Sequence, residues 1–444
     1  MYKLVSNLIL YSDLSADNIL PALCRIFEDL DKMNAALSDS PDTITKVSLT
    51  KRVYSVIKHI LDVSTDFGFD ENLWQNYLTF IIISNKNSFS LTCEGAGAAE
   101  SGSVNGFAKN DFRIFMELFH YDFTNIEETL GINCFSVITN YTAISKHENH
   151  YDRHVSEVIR TLSKKLASAS DENEFFNLIS DHYKNYGVGM FGLNRAFRIK
   201  GSGEDLEFIP VSNPDPIVLD DLVGYEHQKE TLREAANAFR RGIPSNNVLL
   251  YGDPGTGKSS SVKAVLNEYY DSGLRMIELY KHQFPELSNL IAKIKKRNFK
   301  FIIYIDDLSF EENEVEYKFL KAIIEGGVEA RPANVVIYAT SNRRHLIKEN
   351  WKDRNDMEFD GDVHRSETMD EKLSLSARFG LTINYPNPDR QAYYDIVREL
   401  AGRAGIDMDE ETLLLEANRW ELRHGGCSGR VAAQFINNLQ GKTV

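Results

Sequence analysis

The sequence predicts an α/β core, in which helices flank a parallel sheet, with a helical lid after it and a mostly α-helical domain before it. Three observations lead to this prediction. Apolar residues recur at helical spacing up to about residue 185, short runs of bulky β-forming residues follow residue 247, and a glycine-rich loop separates the first of those runs from a predicted helix. Strands that alternate with helices are typical of α/β folds.

Length and composition limit the class of protein. A chain of 444 residues is too long for one compact core, so we expect two or three domains. The net charge of −15 argues against a nucleic-acid partner held by bulk electrostatic attraction. No run approaches the roughly 20 apolar residues that a membrane-spanning helix needs. We therefore expect a cytoplasmic protein without a membrane segment.

Cysteine spacing supports the same expectation. The four cysteines are scattered through the chain without a C-x-x-C pair, at Cys24, Cys93, Cys134 and Cys427. This spacing indicates neither a zinc site nor a disulfide framework. A reducing compartment fits it best.

Residues 1–200 are predicted to form a mostly helical domain that recognises an unidentified protein partner. Leu20, Leu23 and Ile26 show the spacing of one buried helix face. Between residues 85 and 106 the sequence becomes small and polar, which predicts a loop, with a short strand at residues 89–92 as the alternative.

A row of histidines lies near the end of this domain. His147, His150 and His154 fall at i, i+3 and i+7 of a predicted helix. Histidines at such spacing can bind a metal, but no further ligand pattern accompanies them. We therefore predict a solvated or partner-facing row and no metal.

Residues 201–218 are predicted to be a linker that contains the main domain boundary. They hold three of the chain's 11 prolines together with several acids. The α/β core is then expected over residues 219–386 and the lid over residues 387–444. A charged stretch inside the core, residues 351–371, is predicted to be a surface loop.

The glycine-rich loop has the pattern G-x-x-x-x-G-K-S, which is typical of phosphate binding. Its glycines let backbone N–H groups approach phosphate oxygens, and the following helix adds the positive end of its dipole. Lys258 is expected to reach the β- and γ-phosphates and Ser259 to ligate Mg²⁺. The predicted cofactor-binding residues of the loop are Gly252, Asp253, Pro254, Gly255, Thr256, Gly257, Lys258, Ser259 and Ser260.

A buried strand is predicted from residue 301 to residue 305, with two acids at its end. Parallel strands deliver such carboxylates to the carboxyl edge of the sheet. Asp306 is expected to hold Mg²⁺ through its water shell, and Asp307 to orient an attacking water molecule.

A second buried strand is predicted from residue 335 to residue 339. It ends in Thr340, Ser341 and Asn342, and a polar side chain at this tip can sense the γ-phosphate. Three helices predicted after Asn387 form the lid, with Asn387 as the first N-cap.

The order of these motifs resembles that of the AAA+ ATPases. The segment GDPGTGKS resembles their Walker A motif, FIIYIDD their Walker B motif, and ATSNRR their first sensor, whereas SARFG resembles the arginine-finger region and GCSGR the second sensor. The resemblance covers residues 220–440. The segments YGDPGTGKSSS and LSLSARFG also resemble those of an uncharacterised bacterial family of predicted ATPases of unknown function.

The resemblance implies roles for further residues. The segment LDDLVGYEHQ, with Val223, Gly224 and Tyr225, is expected to frame the adenine of ATP. Arg430 is expected to point from the lid to the phosphates. Arg378 is expected to be the arginine finger, with a surface salt bridge as the alternative and Arg343, Arg344 and Arg365 as rivals. A finger acting on a neighbour implies a homo-oligomeric ring, by resemblance a hexamer.

One residue departs from the AAA+ pattern. The second Walker B acid is usually a glutamate, and here it is Asp307, which is one methylene shorter. Catalytic geometry is sensitive to such a difference in reach, so hydrolysis is expected to be slow.

Together these features predict a P-loop AAA+ ATPase that hydrolyses Mg-ATP at an inter-subunit site to remodel or move an unidentified partner. Asp307, Asn342, Arg378 and Arg430 are the candidate catalytic residues, and Ser259 and Asp306 the candidate metal ligands. Two alternatives stay open: a nucleotide-gated binding switch with negligible turnover, which Asp307 favours, and a small-molecule kinase, which the sensor-like Asn342 and the helical lid disfavour.

Overall fold

The computed structural model describes residues 1–13, 19–35, 43–96, 102–143, 151, 153–212, 214–311, 314–325, 332–343, 346 and 375–443. His147, His150 and the predicted surface loop at residues 351–371 lie outside the described residues, as do the rival arginines Arg344 and Arg365. The chain forms two compact units, which we call the N-terminal unit (Met1–Asn194) and the C-terminal unit (Arg195–Val444).

The N-terminal unit is helical where it is described, as the apolar spacing predicts. Its helices are α1 (Tyr2–Val5), α2 (Ile19–Ala35), α3 (Thr43–Phe67), α4 (Leu73–Ser84), α5 (Ser88–Ala96), α6 (Val104–Phe119), α7 (Thr124–Leu130), α8 (Cys134–Thr139), α9 (Arg153–Ala167), α10 (Glu172–Tyr186) and α11 (Met190–Leu193). In α2 the residues predicted to face inward, among them Leu20, Leu23 and Ile26, are all buried. Among the described helices of the chain, we find none with the length and apolar character that crossing a membrane requires.

The segment predicted to be a loop between residues 85 and 106 contains helix α5 instead, so the loop and the alternative strand are both wrong there. The helix starts in a reciprocal cap, since the Ser90 N–H donates to Asn87 Oδ1 at 2.9 Å and the Asn87 N–H donates to Ser90 Oγ at 2.9 Å. Phe89 packs against Phe112 and Phe176, with ring centroids 5.7 and 5.3 Å away. Capping and aromatic packing outweigh the weak helix propensity of the small polar residues.

Buried polar contacts fix the start of the chain in the N-terminal unit. The carboxylate of Asp111, which is fully buried on α6, accepts hydrogen bonds from the backbone N–H groups of Ile9, Leu10 and Tyr11. The Tyr11 and Tyr183 hydroxyls lie 2.8 Å apart. A buried carboxylate with three donors is well compensated for its lost hydration.

The C-terminal unit is built on a seven-stranded sheet. Its strands are β1 (Ala196–Lys200), β2 (Glu207–Pro210), β3 (Val248–Gly252), β4 (Leu274–Glu278), β5 (Lys300–Ile305), β6 (Val335–Ser341) and β7 (Leu381–Tyr385), in the order β2-β1-β4-β5-β6-β3-β7. All neighbours are parallel except β1 and β2. The described helices of the core are α12 (Glu226–Arg240), α13 (Lys258–Tyr269), α14 (Leu287–Ile294) and α15 (Glu316–Glu325). The predicted α/β core is confirmed.

The linker predicted at residues 201–218 is wrong in part, because β2 lies within it. β2 pairs with β1 in an antiparallel hairpin whose register sets Phe197 opposite Pro210, and β1 pairs in parallel with β4. Pro210 is tolerated because it ends a strand at the edge of the sheet. The division between the units falls after Asn194, ahead of the predicted linker.

The lid has the three predicted helices: α16 (Arg390–Arg403), α17 (Glu410–His424) and α18 (Gly429–Thr443). They share a hydrophobic core that includes Tyr393, Ala417 and Ala432. The first helix begins two residues later than predicted, because its N-cap is Asp389, whose carboxylate accepts from the Ala392 N–H at 2.8 Å. Asn387 was predicted as this N-cap and is not, and its backbone N–H donates to the Asp253 carboxylate.

Candidate nucleotide-binding site

A cavity of about 680 Å³ lies in the C-terminal unit, at the carboxyl ends of β3, β5 and β6. This is the edge where open parallel sheets bind their ligands. The sequence-predicted residues that line it are Pro254, Gly255, Thr256, Gly257, Lys258, Ser259, Ser260, Asp306, Asp307, Asn342, Val223, Tyr225 and Arg430. The sheet therefore brings together the loop, both acids, the strand-tip asparagine and the lid arginine.

The glycine loop connects β3 to α13, and its backbone requires glycine. Gly252 has a φ of 137°, and a Cβ there would lie 2.1 Å from the Tyr385 carbonyl oxygen. Gly257 precedes α13 with a φ of 92°. Only glycine adopts these conformations without strain. The result is a loop whose backbone turns at the N-terminus of a helix, the arrangement that binds anions.

Lys258 is the first residue of α13 and is only 6% exposed. Its ammonium group donates to the carbonyl oxygens of Gly252 at 2.9 Å and Asp253 at 2.6 Å. Burial lowers the pKa of Lys258, and the nearby carboxylates of Asp253 and Asp307 oppose that effect. The lysine is thus held inside the loop by carbonyls that an incoming phosphate can replace.

Ser259 and Asp306 meet across the cavity floor. The Ser259 hydroxyl, at the start of α13, donates to Asp306 Oδ1 at 2.7 Å. Burial raises the pKa of Asp306, but hydrogen bonds from Thr340 and Ser259 outweigh it, so that the pKa lies below its ordinary value. An ionised carboxylate beside a hydroxyl is an oxygen donor set of the kind that Mg²⁺ prefers. The residues present therefore fit a magnesium ion.

Asp307 and Asn342 form a second polar pair. The Asn342 side-chain amide donates to Asp307 Oδ1 at 2.9 Å. Asp307 itself has a φ of 49°, which is unusual for a residue with a side chain. The strand-tip asparagine and the second acid thus lie side by side at the cavity.

Thr340 is a residue of this site to which the sequence analysis assigned no role. Its hydroxyl donates to Asp306 Oδ1 at 2.5 Å and accepts from the Asp307 N–H at 2.9 Å. The sequence shows Thr340 at the strand tip, but the register that places β6 beside β5 is needed to find this contact.

Residues just before α12 also contribute to the cavity. Val223 and Tyr225 line it, whereas Gly224 does not. The Tyr225 ring stacks on Tyr385 at 5.2 Å, and its hydroxyl donates to the Pro386 carbonyl at 2.8 Å. Burial raises the pKa of Tyr225 to about 12, so the hydroxyl keeps its proton at neutral pH.

Lid residues complete the cavity. Arg430, at the start of α18, lines it, and its backbone N–H donates to the Gly255 carbonyl at 3.1 Å. Ile396, Leu400 and Ala433 of the lid also line it, and the sequence analysis missed them. Their only signal is apolar character on a helix, which ordinary core residues share.

Besides Gly224, three sequence-predicted residues do not line the cavity. Gly252 and Asp253 do not line the cavity, and the Asp253 carboxylate instead accepts from the Asn387 N–H, at the start of the lid, at 2.8 Å. Arg378 is half-buried in the turn before β7 and is not among the cavity-lining residues of its own chain.

The fold and the site together define the class of protein. The strand order β4-β5-β6-β3-β7, the phosphate-type loop after β3, the acids after β5, the asparagine after β6 and the helical lid are the AAA+ arrangement. The chain is an AAA+ protein. Residues 193–443 match the family model described as "Protein of unknown function (DUF815)", and the chain belongs to this family. The sequence-based resemblance is confirmed.

The chain is also similar to proteasome-activating nucleotidases. The chain is 27% identical over 193 residues to the proteasome-activating nucleotidase of Methanocaldococcus jannaschii, which covers 40% of this chain and 42% of the relative. It is 25% identical over 214 residues to that of Methanospirillum hungatei, covering 45% and 49%. The match spans less than half of each relative's length. Among solved structures, the FIGL-1 AAA domain in complex with ADP is 18% identical, with a TM-score of 0.35, over 51% of this chain and 73% of that one.

Proposed function

We propose that this protein binds Mg-ATP in the cavity, hydrolyses it, and uses the cycle to remodel or move a protein partner. One observation carries the proposal: the glycine loop, the buried Lys258, the Ser259–Asp306 pair and the Asp307–Asn342 pair all converge on one cavity. The names of the archaeal relatives describe nucleotidases, which supports a nucleotide as the ligand.

Binding follows from the loop and the helix behind it. Backbone N–H groups of residues 254–259 and the N-terminus of α13 receive the phosphates. Lys258 exchanges its carbonyl partners for phosphate oxygens, which restores a charged partner to a buried ammonium group. Ser259 and Asp306 would hold Mg²⁺, which supplies positive charge that neutralises the phosphate oxygens.

Hydrolysis requires an oriented water molecule. Asp307 accepts a hydrogen bond from that water while Asn342 fixes the carboxylate through its Oδ1 atom. A bond forms between the water oxygen and the γ-phosphorus, and a proton of that water passes to the Asp307 carboxylate. The bond between the γ-phosphorus and the bridging oxygen breaks, so that ADP leaves with the electron pair and inorganic phosphate is formed. Arg430 adds positive charge from the lid beside the phosphates.

Arg378 acts on a neighbouring subunit in this proposal. Its absence from the lining of its own cavity is compatible with a finger supplied in trans, and such fingers raise rates by about 10³- to 10⁵-fold. The active site is then shared within a ring of identical subunits, because head-to-tail contacts close most simply by rotational symmetry. The N-terminal unit selects the partner.

A second candidate is a nucleotide-gated switch with negligible turnover. The observation that favours it is Asp307 itself, since its short side chain is already engaged by Asn342. In this case ATP occupancy sets the lid conformation, and hydrolysis only resets the switch slowly.

Nucleotide binding and phosphate release test the proposal together. Lys258→Ala is expected to lose ATP binding by calorimetric titration, whereas Lys263→Ala, a control on the same helix outside the cavity lining, keeps it. Phosphate release by the wild-type chain supports hydrolysis. Tight ATP binding without phosphate release, at protein concentrations high enough for assembly, supports the nucleotide-gated switch instead of hydrolysis. Unchanged binding in Lys258→Ala overturns the site.

A further inference from the structure

We propose that Thr340 is a positioning residue that holds both acids of the site through one hydroxyl group. The inference rests on the proposed function, since it concerns how Asp306 and Asp307 are presented to Mg-ATP. Thr340 is the sixth residue of β6, is 2% exposed and lines the cavity.

The first contact of Thr340 sets the orientation of Asp306. Its hydroxyl donates to Asp306 Oδ1 at 2.5 Å, and the Ser259 hydroxyl donates to the same atom at 2.7 Å. The Asp307 N–H also donates to this oxygen, at 3.2 Å, so that three donors on one oxygen restrict rotation of the carboxylate, and the Thr340 hydroxyl is the closest of them. The other oxygen, Oδ2, takes part in none of these three bonds and would accept from the water shell of a metal. Hydrogen bonds of this kind around metal ligands control affinity.

The second contact sets the backbone of Asp307. Its N–H donates to Thr340 Oγ1 at 2.9 Å, and its φ of 49° lies in the left-handed region. That conformation is strained for a residue with a side chain, so contacts with neighbouring residues are needed to hold it. The side chain of Asp307 is held by Asn342, which lies two residues after Thr340 at the end of β6. The end of β6 therefore fixes Asp307 at its backbone and at its carboxylate.

The shape of Thr340 does not account for these contacts. Valine has nearly the same volume and the same β-branched form, and β6 already contains Val335 and Val336. A residue that only filled the core would function equally well as valine. The hydroxyl of Thr340 makes both contacts, because it donates to Asp306 and accepts from the Asp307 N–H.

The test compares Thr340→Val, which removes only the hydroxyl, with Thr340→Ser, which keeps it. Thr340→Val is expected to lower kcat for ATP hydrolysis by about 10- to 100-fold while KM for ATP changes by no more than about threefold. Thr340→Ser restores most of the rate. The control is Thr79→Val, a buried threonine of the N-terminal unit whose hydroxyl donates to the Gln75 carbonyl at 2.9 Å, and it leaves kcat unchanged.

Several outcomes overturn the inference. A kcat equal to that of the wild type in Thr340→Val overturns it. An equal loss of kcat in Thr340→Val and Thr340→Ser also overturns it, because packing rather than the hydroxyl would then matter. Should Thr340→Val unfold, the comparison is made between Thr340→Ala and Thr340→Ser, and equal rates again overturn it.

The outcome for Thr340 can be separated from the outcome for hydrolysis. If the wild-type chain binds Mg-ATP but releases no phosphate, hydrolysis fails, and Thr340 is tested by the Mg²⁺ concentration needed for half-maximal ATP binding. A higher Mg²⁺ concentration for half-maximal binding in Thr340→Val, with a return to the wild-type value in Thr340→Ser, supports the inference. An unchanged Mg²⁺ concentration in Thr340→Val overturns it. A wild-type chain that binds no Mg-ATP overturns both proposals.

Discussion

In the proposed function, Asp307 is the residue on which turnover depends. The sequence shows only that it is shorter than the usual glutamate, whereas the structure shows a left-handed backbone and a bond from Asn342. The reach of a carboxylate depends on its backbone as well as on its length. The backbone of Asp307 and its bond from Asn342 therefore set the position of its carboxylate at the cavity.

Replacing Asp307 by asparagine removes the charge that polarises water and keeps the size of the side chain. Asp307→Asn is expected to bind ATP with wild-type affinity and to lose turnover by about 10²- to 10⁴-fold. Steady-state phosphate release and equilibrium binding measure the two effects. Asp271→Asn, at an exposed position in the turn after α13, is the control. Unchanged turnover in Asp307→Asn would place the base elsewhere.

Gly252 tests the packing of the loop. Gly252→Ala brings a methyl group to within 2.1 Å of the Tyr385 carbonyl and is expected to lower the free energy of unfolding by about 3 kcal/mol. Gly273→Ala is the matched control, since Gly273 also has a positive φ but no atom within 4 Å of an added Cβ, and its expected cost is about 1 to 2 kcal/mol. Calorimetric unfolding compares them, and equal losses would contradict the predicted clash.

Single residues of the site differed in how well the sequence predicted them. Lys258, Ser259, Asp306 and Asn342 were found because their spacing follows from one strand–loop unit each. Thr340 and the lid residues Ile396 and Leu400 were not, since their positions depend on strand register and on helix docking. Such contacts join segments far apart in the chain and leave no local pattern.

At the scale of elements, buried parallel strands were the clearest signal. β3, β5 and β6 read as continuous apolar runs because both faces of each strand are covered. β2 was hidden in a proline-containing segment, and its only partner is β1. β1 was missed because its parallel partner β4 lies about 80 residues further along the chain, with Ala196 opposite Met276. Helix α5 was hidden by its small polar residues, and only its cap and Phe89 reveal it.

In the described part of the chain, the Asn387 N–H donates to the Asp253 carboxylate and the Arg430 N–H to the Gly255 carbonyl, and both bonds join the lid to the glycine loop. Asp253→Ala removes the carboxylate that accepts from the Asn387 N–H and is expected to speed ADP release several-fold, because the lid is less firmly held. The expected loss of stability is about 1 kcal/mol. Chase of a fluorescent ADP analogue measures the release rate.

The control for this variant lies within the lid. Asp409→Ala removes the N-cap of α17, whose carboxylate accepts from the Thr412 N–H at 2.9 Å. It is expected to cost a similar free energy of about 1 kcal/mol without touching the loop. Equal release rates in the two variants would show that lid stability, and not the Asp253 bond, controls release.

At the scale of the whole molecule, the chain joins two units with separate hydrophobic cores. The C-terminal unit contains every residue of the proposed site within one chain, so we expect residues 195–444 alone to bind ATP with an affinity close to that of the full chain. Titration of both proteins tests this. A fragment that folds but does not bind ATP would show that the N-terminal unit is needed for the site.

Mixing two inactive variants tests the central claim of a shared, hydrolysing site most directly. Lys258→Ala cannot bind ATP and Arg378→Ala lacks the finger, so each alone is expected to release no phosphate. In a mixture, an Arg378→Ala subunit can bind ATP beside a Lys258→Ala subunit that supplies Arg378, and phosphate release is expected to return. Wild-type release without recovery at any mixing ratio would contradict the shared site, and no release by the wild-type chain at any concentration would contradict hydrolysis.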